Sequence, residues 1–262
     1  MVYLAYPNEN HYEAYLEACK SVVDYVNSDR GNDIARRETA NFEFAYHSNI
    51  SKEDFLKLVD TYRESREVDF QKNPSEANPQ IYFFIMDNDK IIGMIDAQAK
   101  LLKDADIKEG VKPVERWSGK YPCKADFGEM ILPEYRGKGL NKEIKKQFFD
   151  ALQNDYGITQ VTATVLQDND NSNRAQNKLI ERYGGKSYKK EMLTPTGKIV
   201  CNSYLISTDT SGNSKHLYQS NNELSIEHLN KLRGIGPQVA SPIQKRSLDM
   251  TLVHQQQQNI NK

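Results

Sequence analysis

Residues 130–144 constrain this chain more than any other segment: Met-Ile-Leu-Pro-Glu-Tyr-Arg-Gly-Lys-Gly-Leu-Asn-Lys-Glu-Ile. The run from Phe127 to Leu132 predicts a strand, stopped by Pro133. Leu140, Ile144, Phe148 and Leu152 recur at near four-residue spacing, which predicts a helix over Gly139 to Gln153. Between them, Gly137 and Gly139 allow the backbone to approach a ligand closely. The first N–H groups of a helix have no partner inside it, and the helix dipole favours an anion there. Strand, glycine loop and helix start together make a pyrophosphate seat, and Arg136 and Lys138 add positive charge beside it. A Walker A loop (GxxxxGK, then Ser or Thr) does not fit, and Lys142 stands where a GxGxxG fingerprint needs its third glycine. The plainer reading is a surface turn with two glycines and basic neighbours.

The flanking sequence sets this segment in a sheet. Residues 1–65 read as helical after a short opening strand, within a helical N-terminal part spanning 1–79. Glu13 to Val26 places Ala14, Ala18, Val22, Val23 and Val26 on one face, and Ser51 with Asp54 is a capping-box candidate ahead of Phe55, Leu56, Leu58, Val59 and Tyr62. Asn27 to Ile50 is polar and shows no clear period. Ile81–Met86 and Ile91–Ile95 flank the turn Asp87-Asn-Asp-Lys90, a hairpin. Residues 103–124 form a charged insertion with Gly110, Pro113, Trp117, Gly119 and Pro122; Trp117 either stacks on a substrate or, as favoured here, anchors the loop. A strand over Ile158–Leu166, a helix over Asn173–Tyr183 ended by Gly184-Gly185, and a hairpin of Lys186–Leu193 and Ile199–Ser207 complete the order. From residue 81 that order is ββ, β, α, β, α, ββ, an α/β or α+β sheet with helices packed on it.

Composition limits the alternatives. At roughly 150 residues per domain, 262 residues hold one large domain and a smaller piece. The apolar fraction of 38% is low enough that part of the chain is expected to stay unpacked. With 35 Lys+Arg against 36 Asp+Glu, a globally basic nucleic-acid binder and a strongly acidic disordered chain are both excluded. Cys19, Cys123 and Cys201 lack disulfide or zinc spacing, so reduced thiols and a cytoplasmic location are expected. No Sec-type signal or membrane-spanning run is found. The five histidines lie outside residues 81–207 and form no metal-ligand pair, so no metal is expected.

Arg136-Gly-Lys-Gly-Leu-Asn141 resembles motif A of the GCN5-related N-acetyltransferases (the GNAT superfamily), Arg/Gln-x-x-Gly-x-Gly/Ala, lead-in strand included. Val165 to Gly185, with Asn173 and then Lys178-Leu-Ile-Glu-Arg-Tyr-Gly-Gly185, is similar to the second motif of that family: strand, Asn-containing loop, and a helix ending in glycine. Ile91-Ile-Gly-Met-Ile-Asp96 is similar to a strand of bacterial members. The resemblance spans about residues 1–207, as one acetyltransferase domain, and is sharp over 80–95 and 127–185. It implies a mixed sheet splayed between two strands, flanked by helices, with acetyl-CoA in the splay and acetyl transfer to a primary amine by direct attack in a ternary complex. It implies that the backbone at Met130, Ile131 and Leu132 pairs with the pantetheine arm. Amides from Arg136 through Gly137, Lys138, Gly139 and Leu140 to Asn141 would hold the pyrophosphate, with Asn173 and its helix across the splay. Two positions depart from the pattern. Asn141 replaces Gly or Ala, where it would crowd the pyrophosphate or hydrogen-bond to it, and Ile180 replaces the tyrosine that protonates the leaving thiolate.

An amine must lose a proton before it attacks a thioester, and a lysine-type amine holds its proton at pH 7 with a pKa near about 10.4. Glu129, just ahead of the ligand-contacting stretch, is the candidate base; its alternative role is to face solvent or to pair with a neighbouring lysine. Asp126 and Asp96 follow, and Glu134 reads as a solvated loop residue. Cys123, Tyr183, Tyr188 and Tyr204 read as packing residues, the tyrosines with a wet hydroxyl.

Residues 208–262 read as a linker and a flexible low-complexity tail ending His254-Gln-Gln-Gln-Gln. Within it, Leu229 to Ala240 resembles a helix-hairpin-helix turn around Gly234 and Gly236, but Pro242 cuts the second helix short. Six basic and four acidic residues give the tail little charge for DNA, so nucleic acid is disfavoured as a partner. The expected partners are an amine-bearing small molecule or protein, with no membrane, and a monomer or homodimer both fit. The alternatives to an enzyme are an acyl-CoA-binding sensor without turnover, motivated by Ile180 and Asn141, and an adaptor acting through the tail.

Overall fold

The computed structural model describes residues 1–28, 36, 39–40, 42–67, 79–118, 121–194 and 197–211. Seven strands form one mixed sheet: β1 (Val2–Ala5), β2 (Gln80–Asp87), β3 (Lys90–Leu101), β4 (Cys123–Ile131), β5 (Gln160–Leu166), β6 (Gly185–Thr194) and β7 (Gly197–Ser207). Their spatial order is β1-β2-β3-β4-β5-β7-β6. Every neighbouring pair is antiparallel except β4 and β5, which run parallel. The helices are α1 (Tyr12–Val26), α2 (Lys52–Glu67), α3 (Asp104–Lys108), α4 (Asn141–Tyr156) and α5 (Asp170–Tyr183). From residue 81 onward the predicted strands and long helices occur in the predicted order, and the short α3, inside the segment read as an insertion, is added to them.

The central ladder is longer than the sequence predicts. β3 runs to Leu101 rather than Ile95, and β4 starts at Cys123 rather than Phe127. Asp96, Gln98, Lys100, Lys124 and Asp126 break the apolar run, but they alternate with buried Ala97, Ala99, Cys123 and Ala125 on the other face. A strand with one polar face does not show itself as a continuous apolar stretch.

The two faces of the sheet carry separate cores. On one, α4 and α5 bring Ile144, Phe148, Phe149, Leu152, Leu179 and Tyr183 onto Ile81, Phe83, Ile95 and Phe127. On the other, α1, α2 and a short turn at Glu43–Ala45 pack on Tyr82, Phe84, Met94, Met130 and Leu132. The inward face of α1 is Tyr15, Ala18, Cys19 and Val22, whereas Ala14, Val23 and Val26 are only half-buried. Tyr15 rotates that face, because its ring meets Phe44, Phe55 and Phe84 at centroid distances of 5.2, 5.0 and 5.6 Å. α2 begins as its capping sequence predicts, with the Asp54 N–H donating to Ser51 Oγ at 3.1 Å.

The insertion is anchored at two points. Trp117 is fully buried in the α4-side core. Asp106 is fully buried and accepts from Lys124 Nζ (2.9 Å), Lys190 Nζ (2.8 Å) and Tyr188 OH (3.0 Å), so α3 is tied to β4 and β6. The stretch read as linker from Thr208 begins docked: Thr208 is buried, its N–H donates to Thr159 O and its hydroxyl to Ile158 O. Thr210 bonds Asp150 of α4. The readings of Gly119, of the turn at residues 195–196, and of the tail from 212 to 262, with its hairpin-like element and Gln run, lie outside the described residues.

Candidate active site

The ligand-binding candidate is a gap in the sheet. β4 and β5 share a single paired position, Asp126 with Thr162. Thr162 Oγ1 closes that point by donating to Asp126 Oδ1 at 2.6 Å. Beyond it, β4 continues to Ile131 and β5 to Leu166 without pairing to each other. β3 and β7 hold the outer sides of the two strands in register, so the gap is a fixed feature of the sheet. The predicted splay is thus present, and it opens toward the carboxyl ends of both strands.

The glycine loop stands at the mouth of this gap. Gly137 and Gly139 take φ of 75° and 76°, a left-handed conformation that other residues reach only with strain. No side chain crowds either position, so the dihedral and not space demands glycine. The first bonds to reach back into the turn are Glu143 N–H and Ile144 N–H to Leu140 O. Among the described residues, the six consecutive N–H groups from Gly137 to Lys142 donate to nothing. Alternating left- and right-handed residues ahead of a helix start form an anion-binding nest. Lys138 lies over the Tyr135 ring, 4.5 Å from its centroid. Arg136 is tied to the protein itself: Nε donates to Ile131 O (2.8 Å) and a terminal nitrogen to Thr39 Oγ1 (2.8 Å).

The ladder corrects two of the three backbone assignments on β4. Leu132 N–H donates to Ile92 O at 2.8 Å, and the register continues through Met130 with Met94 and Gly128 with Asp96. Antiparallel pairing alternates, so Leu132, Met130 and Gly128 spend their backbone groups on β3. Phe127, Glu129 and Ile131 turn theirs toward the gap. Of the predicted trio, only Ile131 turns its main chain to that side, with its carbonyl taken by Arg136 Nε, and Glu129 turns the same way.

The side chain of Glu129 points the other way from a substrate-facing base. It lies on the α4 face, where Lys145 Nζ is 2.8 Å from Oε2 and Asn141 Nδ2 donates to the same oxygen at 3.3 Å. The other carboxylate oxygen is buried without a partner among the described residues. Lys145 is 1% exposed, its ammonium 4.8 Å from the Phe127 ring centre. Burial pushes its pKa down, and the carboxylate opposes that shift. Glu129 therefore pairs with a lysine, the alternative role given above. Asn141 does not crowd the nest; its amide is drawn toward β4. Lys145 was not singled out from sequence, although its place one turn after Asn141, amid the inward Ile144, Phe148 and Phe149, was a legible signal.

Across the gap, Asn173 is a brace. Its amide nitrogen donates to Leu166 O (2.9 Å), Gln167 O (3.3 Å) and Asn169 O (2.9 Å), and its oxygen accepts from Asn202 (2.9 Å) and the Tyr204 hydroxyl (2.7 Å). It joins the end of β5, the start of α5 and β7. Tyr183 is buried edge-on against Phe149 at 5.2 Å, within the α4-side core, and Ile180 is partly buried against the same core. The Tyr188 and Tyr204 hydroxyls are bonded to Asp106 and Asn173, not left to water.

The face of the sheet opposite α4 carries the remaining acids. Asp126 is held below the usual carboxylate range: burial works against the charge, but Lys100, Lys124 and the Thr162 hydroxyl outweigh it. Asp96 is 5% exposed and accepts from Gln80 Nε2 at 2.9 Å. Burial pushes its pKa up to about 6. Above it, Glu43 accepts from the Tyr62 hydroxyl, and the Tyr62 ring stacks on Tyr82 at 4.0 Å. Burial pushes Glu43 up to about 7. Among the described residues, no three His, Cys, Asp or Glu side chains converge as a metal site, and no helix is long and apolar enough to cross a membrane. Cys19, Cys123 and Cys201 are buried free thiols.

The site is thus an open seam in a mixed sheet with an amide nest at its mouth. Over residues 35–179, more than half of its length, the chain matches the acetyltransferase (GNAT) domain family. The chain belongs to that family and is an acetyltransferase of EC class 2.3.1. No curated protein matches it in sequence. Similar solved structures include the ribosomal L7/L12 alpha-N-protein acetyltransferase RimL with coenzyme A, 12% identical, covering 80% of this chain and 95% of that one with a TM-score of 0.48. RimJ of Mycobacterium smegmatis with a CoA disulfide is 10% identical, with coverages of 79% and 81% and a TM-score of 0.48. The microcin C7 self-immunity acetyltransferase MccE with acetyl-CoA and AMP is 14% identical, with coverages of 79% and 92% and a TM-score of 0.45.

Proposed function

We propose that this protein moves an acetyl group from acetyl-CoA to a primary amine by direct attack in a ternary complex. The observation that carries this reading is the seam: one paired position joins β4 and β5, and six unused N–H groups stand at its mouth. The pyrophosphate sits on the amides of Gly137 to Asn141, with the charges of Arg136 and Lys138 close by. The pantetheine arm runs down the gap against the backbone of Ile131 and Glu129, and Asn173 with α5 forms the far wall. The attacked carbonyl becomes an oxyanion, which an amide turned into the gap stabilises. Glu129, Lys145 and Asn141 hold the nest against β4. The acceptor is an amine-bearing small molecule or protein. The three buried free thiols fit work in the reducing cytoplasm.

Calorimetry of the purified protein with acetyl-CoA tests the reading, alongside Gly139→Asp and Lys138→Glu. Gly139→Asp puts a carboxylate and a strained φ at the nest and is expected to abolish binding. Lys138→Glu reverses an exposed charge and is expected to weaken it. No wild-type binding at millimolar ligand overturns the proposal.

A further inference from the structure

We propose that Asp96 takes the proton from the attacking amine: its carboxylate lies over Gly128, at the closed end of the seam, where the acetyl group comes to rest. The inference rests on the acetyl-transfer reading above and adds the residue that reading lacks once Glu129 is paired with Lys145.

The seam fixes where the reaction happens. A donor whose pyrophosphate sits at residues 137–142 enters β4 near Leu132 and runs toward the closure at Asp126 and Thr162. At roughly 3.3 Å per residue, Leu132 and Gly128 are about 13 Å apart along the strand. The reactive end therefore arrives near Gly128, two residues short of the closure. Gly128 lies opposite Asp96 in the ladder. A Cβ on residue 128 would meet Asp96 Oδ1 at 3.0 Å, so the carboxylate occupies the space a side chain would fill. Glycine at 128 is what lets an acid lie over the strand there.

The other acids near the seam are committed. Asp126 is engaged by Lys100 and Thr162, and Glu129 by Lys145 and Asn141 from the opposite face. Among the described residues, the one side-chain hydrogen bond to Asp96 comes from Gln80. The groups that act on it are Gln80 on β2, Lys100 on its own strand, and Asp126 and the Gly128 N–H on β4. Glu43 and Tyr82 feel its charge from above and beside it. Burial dominates, and a pKa of about 6 leaves Asp96 ionised at neutral pH yet close to the value that suits a base there.

The step balances without a general acid. One ammonium proton passes to Asp96, directly or through one water. The nitrogen lone pair bonds to the thioester carbon, and the carbonyl pair moves onto oxygen. That pair returns as the carbon–sulfur bond breaks. The second proton, from the nitrogen, ends on the departing thiolate, giving amide and CoA thiol, and Asp96 releases its proton to solvent. Ile180, where a tyrosine acid would stand, is consistent with this route.

Thiol release from acetyl-CoA is measured with two probe nucleophiles, ethylamine and hydroxylamine. Ethylamine is protonated at pH 7 and needs a base; hydroxylamine is already neutral. Asp96→Asn is expected to lose about 100-fold of the ethylamine rate and to leave the hydroxylamine rate unchanged. Divided by the free-amine fraction at each pH, the wild-type ethylamine rate should rise as pH climbs through about 6, a limb absent from the hydroxylamine rate corrected in the same way. Gly128→Ala, which crowds the carboxylate without removing it, should lower the ethylamine rate alone, and it decides the matter if Asp96→Asn does not fold. Equal losses with both nucleophiles, or none with ethylamine, overturn the inference while leaving acetyl transfer standing. No wild-type turnover with either nucleophile overturns the acetyl-transfer reading, and this inference with it.

Discussion

Lys145 Nζ lies 2.8 Å from Glu129 Oε2, an ion pair that joins the second turn of α4 to the strand beside the seam. Lys145 has almost no exposed surface, so its charge has little water to fall back on, and the Glu129 side chain is only 13% exposed. Asn141, one turn earlier, donates to the same oxygen. The helix that presents the amide nest is thereby fixed to β4 by side chains from two successive turns.

Removing one partner strands the other. Lys145→Met is expected to cost about 3–5 kcal/mol, because it leaves an unpaired carboxylate inside the protein. The double variant Lys145→Met, Glu129→Leu should recover much of that loss. Urea unfolding of both variants measures it; a Lys145→Met protein as stable as wild type would mean that the pair contributes little.

Asn173 holds the far wall. Asn173→Ala removes five hydrogen bonds, the one between Asn173 and the Tyr204 hydroxyl among them, at a cost of about 2 kcal/mol. Since the same bonds set the start of α5, acetyl-CoA affinity should fall with stability. Thermal unfolding read beside calorimetry checks both, and unchanged values on each would show that the brace is dispensable.

The Asp106 hub makes the fold acid-sensitive. Burial alone would raise the Asp106 pKa, but Lys190 and Lys124 outweigh it and hold the group down at about 2. A carboxyl lowered on folding contributes stability above its ordinary value of 3.8, and that stability is lost as pH falls through about 2. Asp106→Asn should therefore lower the urea midpoint at pH 7, with the gap to wild type closing toward pH 2. A constant gap across that window would assign the effect to packing instead.

Glu43 acts with the opposite sign. Burial raises its pKa from 4.5 to about 7, so the folded chain keeps the proton longer than the unfolded chain does. Its contribution is full below pH 4.5 and fades as pH rises to about 7. Because 24% of its side-chain surface remains open, the effect should be modest. Glu43→Gln is expected to flatten the decline in denaturant midpoint between pH 4.5 and 7; an unaltered slope would place that decline elsewhere.

Much of the site was legible before any coordinates. Gly137 and Gly139 were assigned to a loop that needs their freedom, and both take positive φ. Ser51 caps α2 and Trp117 anchors the insertion, as read. The errors share a cause. Met130 and Leu132 were assigned backbone contacts with the ligand, but which main-chain groups face the gap depends on the parity of the β3–β4 ladder. Glu129 was assigned the proton, but which face of β4 its side chain takes follows from the same parity. Ala14, Val23 and Val26 were placed on the inward face of α1; Ala14 and Val26 pack at the edge of the core there, while Tyr15 and Cys19 take its centre.

The sequence by itself determined the order of the strands and long helices, and the nest, because hydrophobic period, glycine freedom and the unpaired amides of a helix start are local properties of the chain. Tertiary structure alone decided which carboxylate has a lysine in direct contact. Glu129, Asp126 and Asp96 are all acids on neighbouring strands, and nothing local separates them. Lys145 engages the first and Lys100 with Thr162 the second, while Asp96 accepts from Gln80 and lies over Gly128, because strand register and the packing of α4 bring cations into contact with two of the three.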